Sequence, residues 1–249
     1  MKRRLFVATS LGAALAGCAK VGQVTNALNG NGPIHQAIGI VQPLDHGVFG
    51  TRGMARVYPD SYVDKDFRTN GLPTPTDTTY QALAKDNFAS YRLRVDGLVE
   101  HPQTFDLHHL RAMEQLVQAT RHDCVEGWSV VGKFGGVPLA TVLGMVAPKP
   151  EAKYVVFRSF DIDDQGTAFY GSISVHEAMH PQTLLALDLN GKPIDPDHGA
   201  PVRLKIPTQL GYKSTKWVRS IQIVDSFAKI AGGEGGYWED QGYEWYAGI

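Results

Sequence analysis

Residues 121–129 have the sequence Arg-His-Asp-Cys-Val-Glu-Gly-Trp-Ser, and the interpretation of the whole chain depends on the cysteine in it, Cys124. The only other cysteine, Cys18, ends an N-terminal segment that has the pattern of an export signal. A chain with one thiol outside its signal does not use that thiol for an internal disulfide. Cys124 therefore either fills a core or carries out chemistry.

The composition is that of a globular protein rather than a disordered or fibrous one. Of 249 residues, 43% are hydrophobic and 20% are charged, and the formal net charge is -1. Because the charge creates no basic field, we expect no nucleic-acid partner. Two cysteines exclude both a disulfide-rich scaffold and a zinc site made of four thiolates. The length permits one large domain or two small ones.

Residues 1–18 are predicted to form an export signal. A basic start precedes a short apolar stretch, and the segment around Arg3 and Arg4 resembles a twin-arginine signal. The sequence Leu-Ala-Gly-Cys at 15–18 resembles a lipobox, in which Cys18 is acylated; a plain cleavable signal is the alternative. These features predict a periplasmic protein exported by the twin-arginine pathway, whose contact with the membrane is a lipid anchor at Cys18.

The remaining chain divides into a short tether and one large domain. Residues 19–40 are rich in Gly, Asn and Gln, which is typical of a flexible tether, and residues 41–249 are predicted to form a single domain. Asp106 is expected to cap a helix that runs to Leu116, and Ser174 with Glu177 forms a capping box. Apolar patterns predict strands at 91–97, 154–160, 168–175, 183–189, 202–206 and 217–224. These elements indicate a mixed α+β fold with a large β component, on which the aromatic tail is expected to pack.

The residue types around Cys124 favour metal chemistry. A thiolate is a soft ligand, and coordination to a metal removes its proton outright. With no second cysteine nearby, such a metal would take its other ligands from a cofactor. Two alternatives remain: a buried structural thiol, and a Cys-His-Asp hydrolase that uses His122 or His198 but lacks a glycine elbow.

A second cluster, residues 197–218, has the composition of an anion-binding loop. It contains His198, Arg203 and several lysines between Gly and Pro turns. An arginine can grip a phosphate through two hydrogen bonds, and backbone amides at 211–214 could form an anion-binding nest. A solvated basic loop between two strands is the alternative.

Together these clusters resemble the sulfite oxidase family of molybdopterin enzymes. The resemblance covers roughly residues 60–249 and rests on motifs in a fixed order, of which Cys-Val-Glu-Xaa-Trp-Ser is most similar to the branch of periplasmic methionine-sulfoxide reductase catalytic subunits. The motifs are Cys-Val-Glu-Gly-Trp-Ser at 124–129, Gly-Val-Pro-Leu at 136–139, His-Pro-Gln-Thr-Leu-Leu-Ala at 180–186, His-Gly-Ala-Pro-Val-Arg at 198–203 and Gly-Tyr-Lys-Ser-Thr-Lys-Trp-Val at 211–218.

The resemblance implies a β-rich α+β domain of the sulfite-oxidase type that binds molybdenum on molybdopterin without a nucleotide. Cys124 would be the metal ligand and a catalytic residue. The residues implied to bind the cofactor are Asn70, Ser159, His198, Arg203, Ser214, Thr215 and Lys216.

The chain departs from the family pattern where a substrate would bind. Sulfite oxidases have Arg-Asn-His at the segment where this chain has Thr69, Asn70 and Gly71, so the arginine that would help hold an oxyanion is missing. Arg121 is the candidate to replace it. The reductase branch has Asn where this chain has His198. The substrate class therefore stays open between a sulfoxide and a sulfite-like molecule.

The expected function is oxygen-atom transfer to or from a small substrate. The electrons would be exchanged one at a time with a redox partner, either a membrane haem protein or a soluble cytochrome, because no second redox centre is encoded. The chain lacks the C-terminal dimerisation domain of sulfite oxidases, so we expect a monomer. The alternatives are a non-catalytic lipoprotein that uses the fold as a binding module, and a hydrolase with Cys124 as nucleophile.

Overall fold

Two β-sheets frame the domain in the computed structural model, which describes residues 53–69, 71 and 74–249. The predicted signal with Cys18, the predicted tether and the cofactor candidate Asn70 lie outside the described residues. Among the described residues, no helix has the length and apolar character that crossing a membrane requires.

The described residues form short helices and strands that alternate along the chain. The helices are α1 (Thr78–Lys85), α2 (Leu107–Ala112), α3 (Leu139–Val146), α4 (Val175–Ala178) and α5 (Tyr237–Asp240). The strands are β1 (Leu93–Gly97), β2 (Gln103–Phe105), β3 (Leu116–Asp123), β4 (Ser129–Pro138), β5 (Tyr154–Ile162), β6 (Ala168–Ser174), β7 (Leu184–Leu189), β8 (Lys192–Pro193), β9 (Arg203–Lys205) and β10 (Val218–Val224).

The first sheet has the strand order β2-β1-β10-β5-β6, in which β1 and β10 are parallel and the other pairs are antiparallel. Alternation in β1 buries Leu93 and Val95 and exposes Arg94, as a half-buried strand requires. Helix α3 buries one apolar face in the same core, which Leu143 and Val146 help to fill. This core fixes β5, which carries Ser159 and Asp161 of the site, and β10, which directly follows the loop at residues 211–217.

The second sheet has the order β3-β4-β7-β8, with β9 also paired to β7. A smaller core that includes Phe67 and Phe134 packs on it. The hairpin of β3 and β4 pairs over its whole length, from Leu116 opposite Gly136 to Asp123 opposite Ser129. The turn of this hairpin therefore presents Cys124 from a rigid pair of strands.

Most predicted elements are confirmed, with one correction to a helix. The capping box is present, because the Ser174 hydroxyl accepts from the Glu177 amide and the Glu177 carboxylate accepts from the Ser174 amide. Asp106 caps α2, but the prediction that the helix runs to Leu116 is wrong. The helix ends at Ala112, and Leu116 begins β3, where pairing with β4 overrides the helical pattern.

Candidate functional site

Cys124 lies in the wall of a cavity of about 360 Å³. The other walls come from β5 and β6, from the loop at residues 211–217 and from the C-terminal segment. Because these parts are far apart in sequence, the cavity exists only in the folded domain. It is the place where a thiol, hydroxyl groups and a lysine meet.

The Cys124 loop is a tight turn between β3 and β4. The Gly127 amide donates to the Cys124 carbonyl at 3.0 Å, and the Cys124 amide donates to the Trp128 carbonyl at 2.9 Å. Gly127 has a φ of 85°, a left-handed conformation that favours glycine. The turn leaves the thiol partly exposed toward the cavity, which a ligand to a bound metal requires.

The surroundings of Cys124 do not resemble those of a nucleophilic thiol. Burial raises the pKa of the thiol, with the charge of Glu126 acting in the same direction, whereas reactive cysteines have a lowered pKa. His122 is buried, and its Nε2 atom has no hydrogen-bond partner among the described residues. A Cβ at Gly211 would lie 2.4 Å from this Nε2, so the imidazole is packed against backbone.

Two fully buried cations, Arg203 and Lys205, lie on β9 beneath the loop at residues 211–217. The Arg203 Nη1 atom donates to the His198 carbonyl at 2.9 Å, and the Lys205 ammonium donates to the Arg121 carbonyl at 3.0 Å. The Nε atom of Arg203 is buried and has no partner among the described residues. Burial lowers the pKa of Lys205 to about 7 and that of Arg203 to about 10. Uncompensated buried cations are costly, so this region is suited to an anion.

The predicted cofactor residues Ser159, Ser214, Thr215 and Lys216 line the same cavity as Cys124. The Ser159 hydroxyl donates to the Lys216 carbonyl at 2.9 Å, which ties β5 to the loop. Burial, together with the charge of Arg203, lowers the pKa of Lys216 to about 7. The structure thus assembles four of the predicted residues around the thiol.

Other predicted residues do not line the cavity. His198 places Nδ1 2.7 Å from an Asp195 carboxylate oxygen and Nε2 2.7 Å from the Phe67 carbonyl, so it holds the segment that leads to residue 69. The Arg121 side chain is 53% exposed and paired with Asp123 at 2.7 Å. Arg203 lies behind the lining residues and donates to the Ser214 carbonyl at 3.5 Å. Asn70 is outside the described residues.

Sequence reasoning missed several residues of the cavity wall. Glu126 and Asp161 line the cavity, although the sequence pattern assigns neither of them a role there. Burial raises the pKa of Asp161 to about 6. The aromatic tail does pack on the domain as expected, but its arrival at the cavity was not predicted. The lining rings that sequence reasoning missed include Phe169, Tyr212, Trp238 and Tyr243.

The burial of Lys205 leads to a prediction about how the stability of the cofactor-free protein depends on pH. Between pH 7 and 9 the unfolded chain keeps this lysine protonated, while the folded chain loses the proton through its pKa of about 7. The unfolding free energy should therefore rise with pH, by at most about 1.4 kcal/mol per pH unit for this group. Urea unfolding at pH 7, 8 and 9 measures the slope, which Lys205→Met should reduce and the exposed control Lys192→Met should not.

The groups around Lys205 set the limits of that experiment. Arg203 lowers its pKa and Asp123 raises it, so both must be kept in every variant. The pH range stops below 10, because burial raises the pKa of Tyr91 and ionisation of tyrosines in the unfolded chain would reverse the slope. If the unfolding free energy changes equally with pH in wild type and in Lys205→Met, this lysine is not the cause of the pH dependence.

Three comparisons with known proteins agree with one another. The family model described as the oxidoreductase molybdopterin-binding domain matches residues 80–229. A candidate protein-methionine-sulfoxide reductase subunit, YedZ1, of Azospira oryzae is 38% identical over 81% of this chain and 70% of its own length. The protein-methionine-sulfoxide reductase catalytic subunit MsrP of Xanthomonas axonopodis pv. citri is 39% identical over 57% of this chain and 47% of its own length.

A solved structure has the same type of fold. The sulfane dehydrogenase SoxCD from Paracoccus pantotrophus superposes with a TM-score of 0.50 at 26% identity, over 55% of this chain and 39% of that chain. The chain thus spans 70% of the YedZ1 relative but about half of the MsrP relative. Trp238 and Tyr243 lie beyond the range that the family model matches.

Proposed function

We propose a function from the premise that this chain belongs to the family of oxidoreductase molybdopterin-binding domains and is a molybdenum-dependent oxidoreductase of the sulfite-oxidase fold. It reduces a sulfoxide to a thioether, taking two electrons from a redox partner and two protons from solvent and releasing the oxygen as water. The observation that carries this proposal is the cavity whose lining brings together Cys124, Lys216 and two carboxylates.

The residues present fit a molybdopterin. Cys124 offers the one thiolate that such a centre takes from the protein, and the buried Arg203 has an Nε atom without a partner among the described residues. Lys216 would contact the pterin phosphate, with Ser159, Ser214 and Thr215 as hydrogen-bonding groups, and the buried Arg203 and Lys205 would add positive charge from behind these lining residues. Asn70 and His198 would complete the cofactor contacts. When bound, the molybdenum supplies the two-electron oxygen-atom chemistry. The form of the cofactor would be molybdopterin without a nucleotide.

The charges around the cavity favour a neutral substrate over sulfite. Two carboxylates, Glu126 and Asp161, line the cavity and would repel an oxyanion, whereas the lining lysine, Lys216, is assigned to the pterin phosphate. Arg121, the candidate to hold an oxyanion, is paired with Asp123 instead. A sulfoxide has no net charge, and the names of the reductase relatives support this substrate class.

Asp161 is placed to handle a proton of the reaction. Its pKa of about 6 means that the carboxyl group exchanges a proton near neutral pH, and its side chain lines the cavity. We expect its Oδ atoms to pass protons between solvent and the bound sulfoxide. Ser159 fixes this residue, because its hydroxyl accepts from the Asp161 amide at 3.0 Å.

The location and partner of the protein belong to the same proposal. Export by the twin-arginine pathway would deliver a folded, loaded enzyme to the periplasm, where Cys18 would tether it by a lipid. The electrons would come from a membrane haem protein or a soluble cytochrome. The single domain of residues 41–249 would act as a monomer.

The test is metal content together with two assays on protein from a host that makes the cofactor. We expect about one molybdenum per chain and reduction of methionine sulfoxide with a viologen as electron donor. The same protein should oxidise sulfite at least about tenfold more slowly than it reduces methionine sulfoxide. Folded protein without molybdenum would refute the enzyme assignment. Loaded protein that oxidises sulfite faster than it reduces sulfoxides would refute the substrate class.

A further inference from the structure

The C-terminal segment, residues 232–249, supplies an aromatic wall to the cavity. Trp238 and Tyr243 line the cavity with their ring centroids 5.4 Å apart and their planes tilted by 31°. Tyr212 lies 5.2 Å from Tyr243, and Phe169 lies 6.0 Å from Trp238. These four residues, which we call the aromatic wall, form a row of neighbouring rings in the lining of the cavity that also contains Cys124.

The two residues of the C-terminal segment remain accessible from outside. Trp238 and Tyr243 are each 38% exposed, and Val125, next to Cys124, is 48% exposed. The wall therefore reaches from the cavity to its mouth, where an incoming molecule would meet it first. Exposed apolar groups that border a cavity are typical of binding surfaces.

Buried and specific contacts fasten the wall to the rest of the domain. Glu239 of α5 forms an ion pair with Lys213, and the two side chains are only 3% and 1% exposed. The Asp240 carboxylate accepts from the Tyr170 hydroxyl at 2.7 Å. The Trp245 indole N–H donates to the Ser172 hydroxyl at 2.8 Å. Because the segment is held at several points, the rings keep a fixed position relative to the thiol.

The aromatic wall favours a substrate whose sulfur is attached to an uncharged apolar group. Ring faces pack against alkyl groups, and their negative quadrupole disfavours an anion. The carboxylates of Glu126 and Asp161 elsewhere in the lining act in the same direction. A neutral sulfoxide with an extended apolar arm would thus place the arm on the rings and the sulfur in the cavity.

We infer that Trp238 and Tyr243 are specificity-determining residues that bind the apolar arm of a sulfoxide, so that a methionyl sulfoxide within a peptide is preferred over dimethyl sulfoxide. This inference rests on the proposed function. It assigns a role to a segment that lies outside the matched molybdopterin-binding range.

The experiment compares two substrates in the loaded enzyme and three variants. For Trp238→Ala and Tyr243→Ala, kcat/KM for an acetylated, amidated methionine-sulfoxide tripeptide should fall about tenfold through KM, and for dimethyl sulfoxide about twofold or less. Tyr62→Ala is the matched control, because Tyr62 is an exposed aromatic residue with no place in the cavity lining. It should leave the ratio of the two kcat/KM values as in wild type.

A second readout does not depend on turnover. Calorimetry without a reductant measures binding of the same tripeptide, and we expect its Kd to rise about tenfold in Trp238→Ala at unchanged molybdenum content. Equal losses on both substrates together with an unchanged Kd would overturn the inference. If the wild type binds the peptide through Trp238 but reduces no sulfoxide, the proposed function fails and the binding role stands.

Discussion

Replacing Cys124 by serine is expected to lower sulfoxide reduction by on the order of a thousandfold or more while leaving the domain folded. Serine has almost the same shape, but its hydroxyl is a hard and weakly acidic group that does not replace a soft thiolate. The side chain sits in a tight turn and is partly exposed, so the exchange creates no core cavity. Steady-state turnover, molybdenum content and the thermal midpoint are measured on the same preparations.

The chain offers its own matched control for this substitution. Cys18→Ser removes the only other cysteine, which lies in the predicted signal, and should leave turnover by purified protein unchanged. A Mo(V) paramagnetic signal that is altered in Cys124→Ser and unaltered in Cys18→Ser would support ligation by Cys124. Wild-type turnover in Cys124→Ser would exclude the assigned role, and so would an identical Mo(V) signal.

Strands β3 and β4, which hold this cysteine, are among the four strands that the sequence did not predict, together with the short β2 and β8. Strand β4 contains three glycines and a proline, which are typical of turns rather than strands. The structure gives the reason for two of them. A Cβ at Gly132 would lie 2.6 Å from the Phe67 ring, and one at Gly136 would lie 2.1 Å from the Leu185 carbonyl. Such close approaches depend on tertiary packing, so local pattern alone does not reveal them.

Four of the five strands of the first sheet, all except β2, were predictable because their environment is regular. In β1, Leu93 and Val95 alternate with more exposed residues. In the second sheet, the turn at Asn190 and Gly191 marks the end of β7. These strands can be recognised from the alternation of core-facing and solvent-facing side chains, and that alternation is visible in a few consecutive residues. The short helices were harder, since α2 ends where pairing in the second sheet begins.

The site residues that belong to sequence motifs could be predicted, whereas the site residues that reach the cavity only through tertiary packing could not. Ser159, Ser214 and Lys216, which the motifs assign to the cofactor, line the same cavity as Cys124. The alternative of a solvated basic loop is wrong for Arg203, which is fully buried. Trp238 reaches the cavity only because the C-terminal segment folds back, a contact that no spacing in the sequence encodes.

The ion pair between Lys213 and Glu239 is expected to be the most sensitive point of this folded-back segment. Glu239→Ala leaves a lysine that is 1% exposed without its carboxylate, and such a loss costs about 3–5 kcal/mol of unfolding free energy. Urea unfolding measures the difference. The matched control is Asp60→Ala, which breaks the exposed pair with Lys133 and should cost about 1 kcal/mol or less.

The double variant Lys213→Met with Glu239→Leu separates the charge from the packing. Because apolar residues of similar volume can replace a buried pair, it should regain most of the stability that Glu239→Ala loses. It should also regain binding of the sulfoxide tripeptide, since Trp238 and Tyr243 flank Glu239 in sequence and depend on its contact with Lys213. A double variant as unstable as Glu239→Ala would contradict this account of the pair. If Glu239→Ala loses stability but keeps the Kd of the tripeptide, the pair stabilises the domain without positioning the aromatic wall.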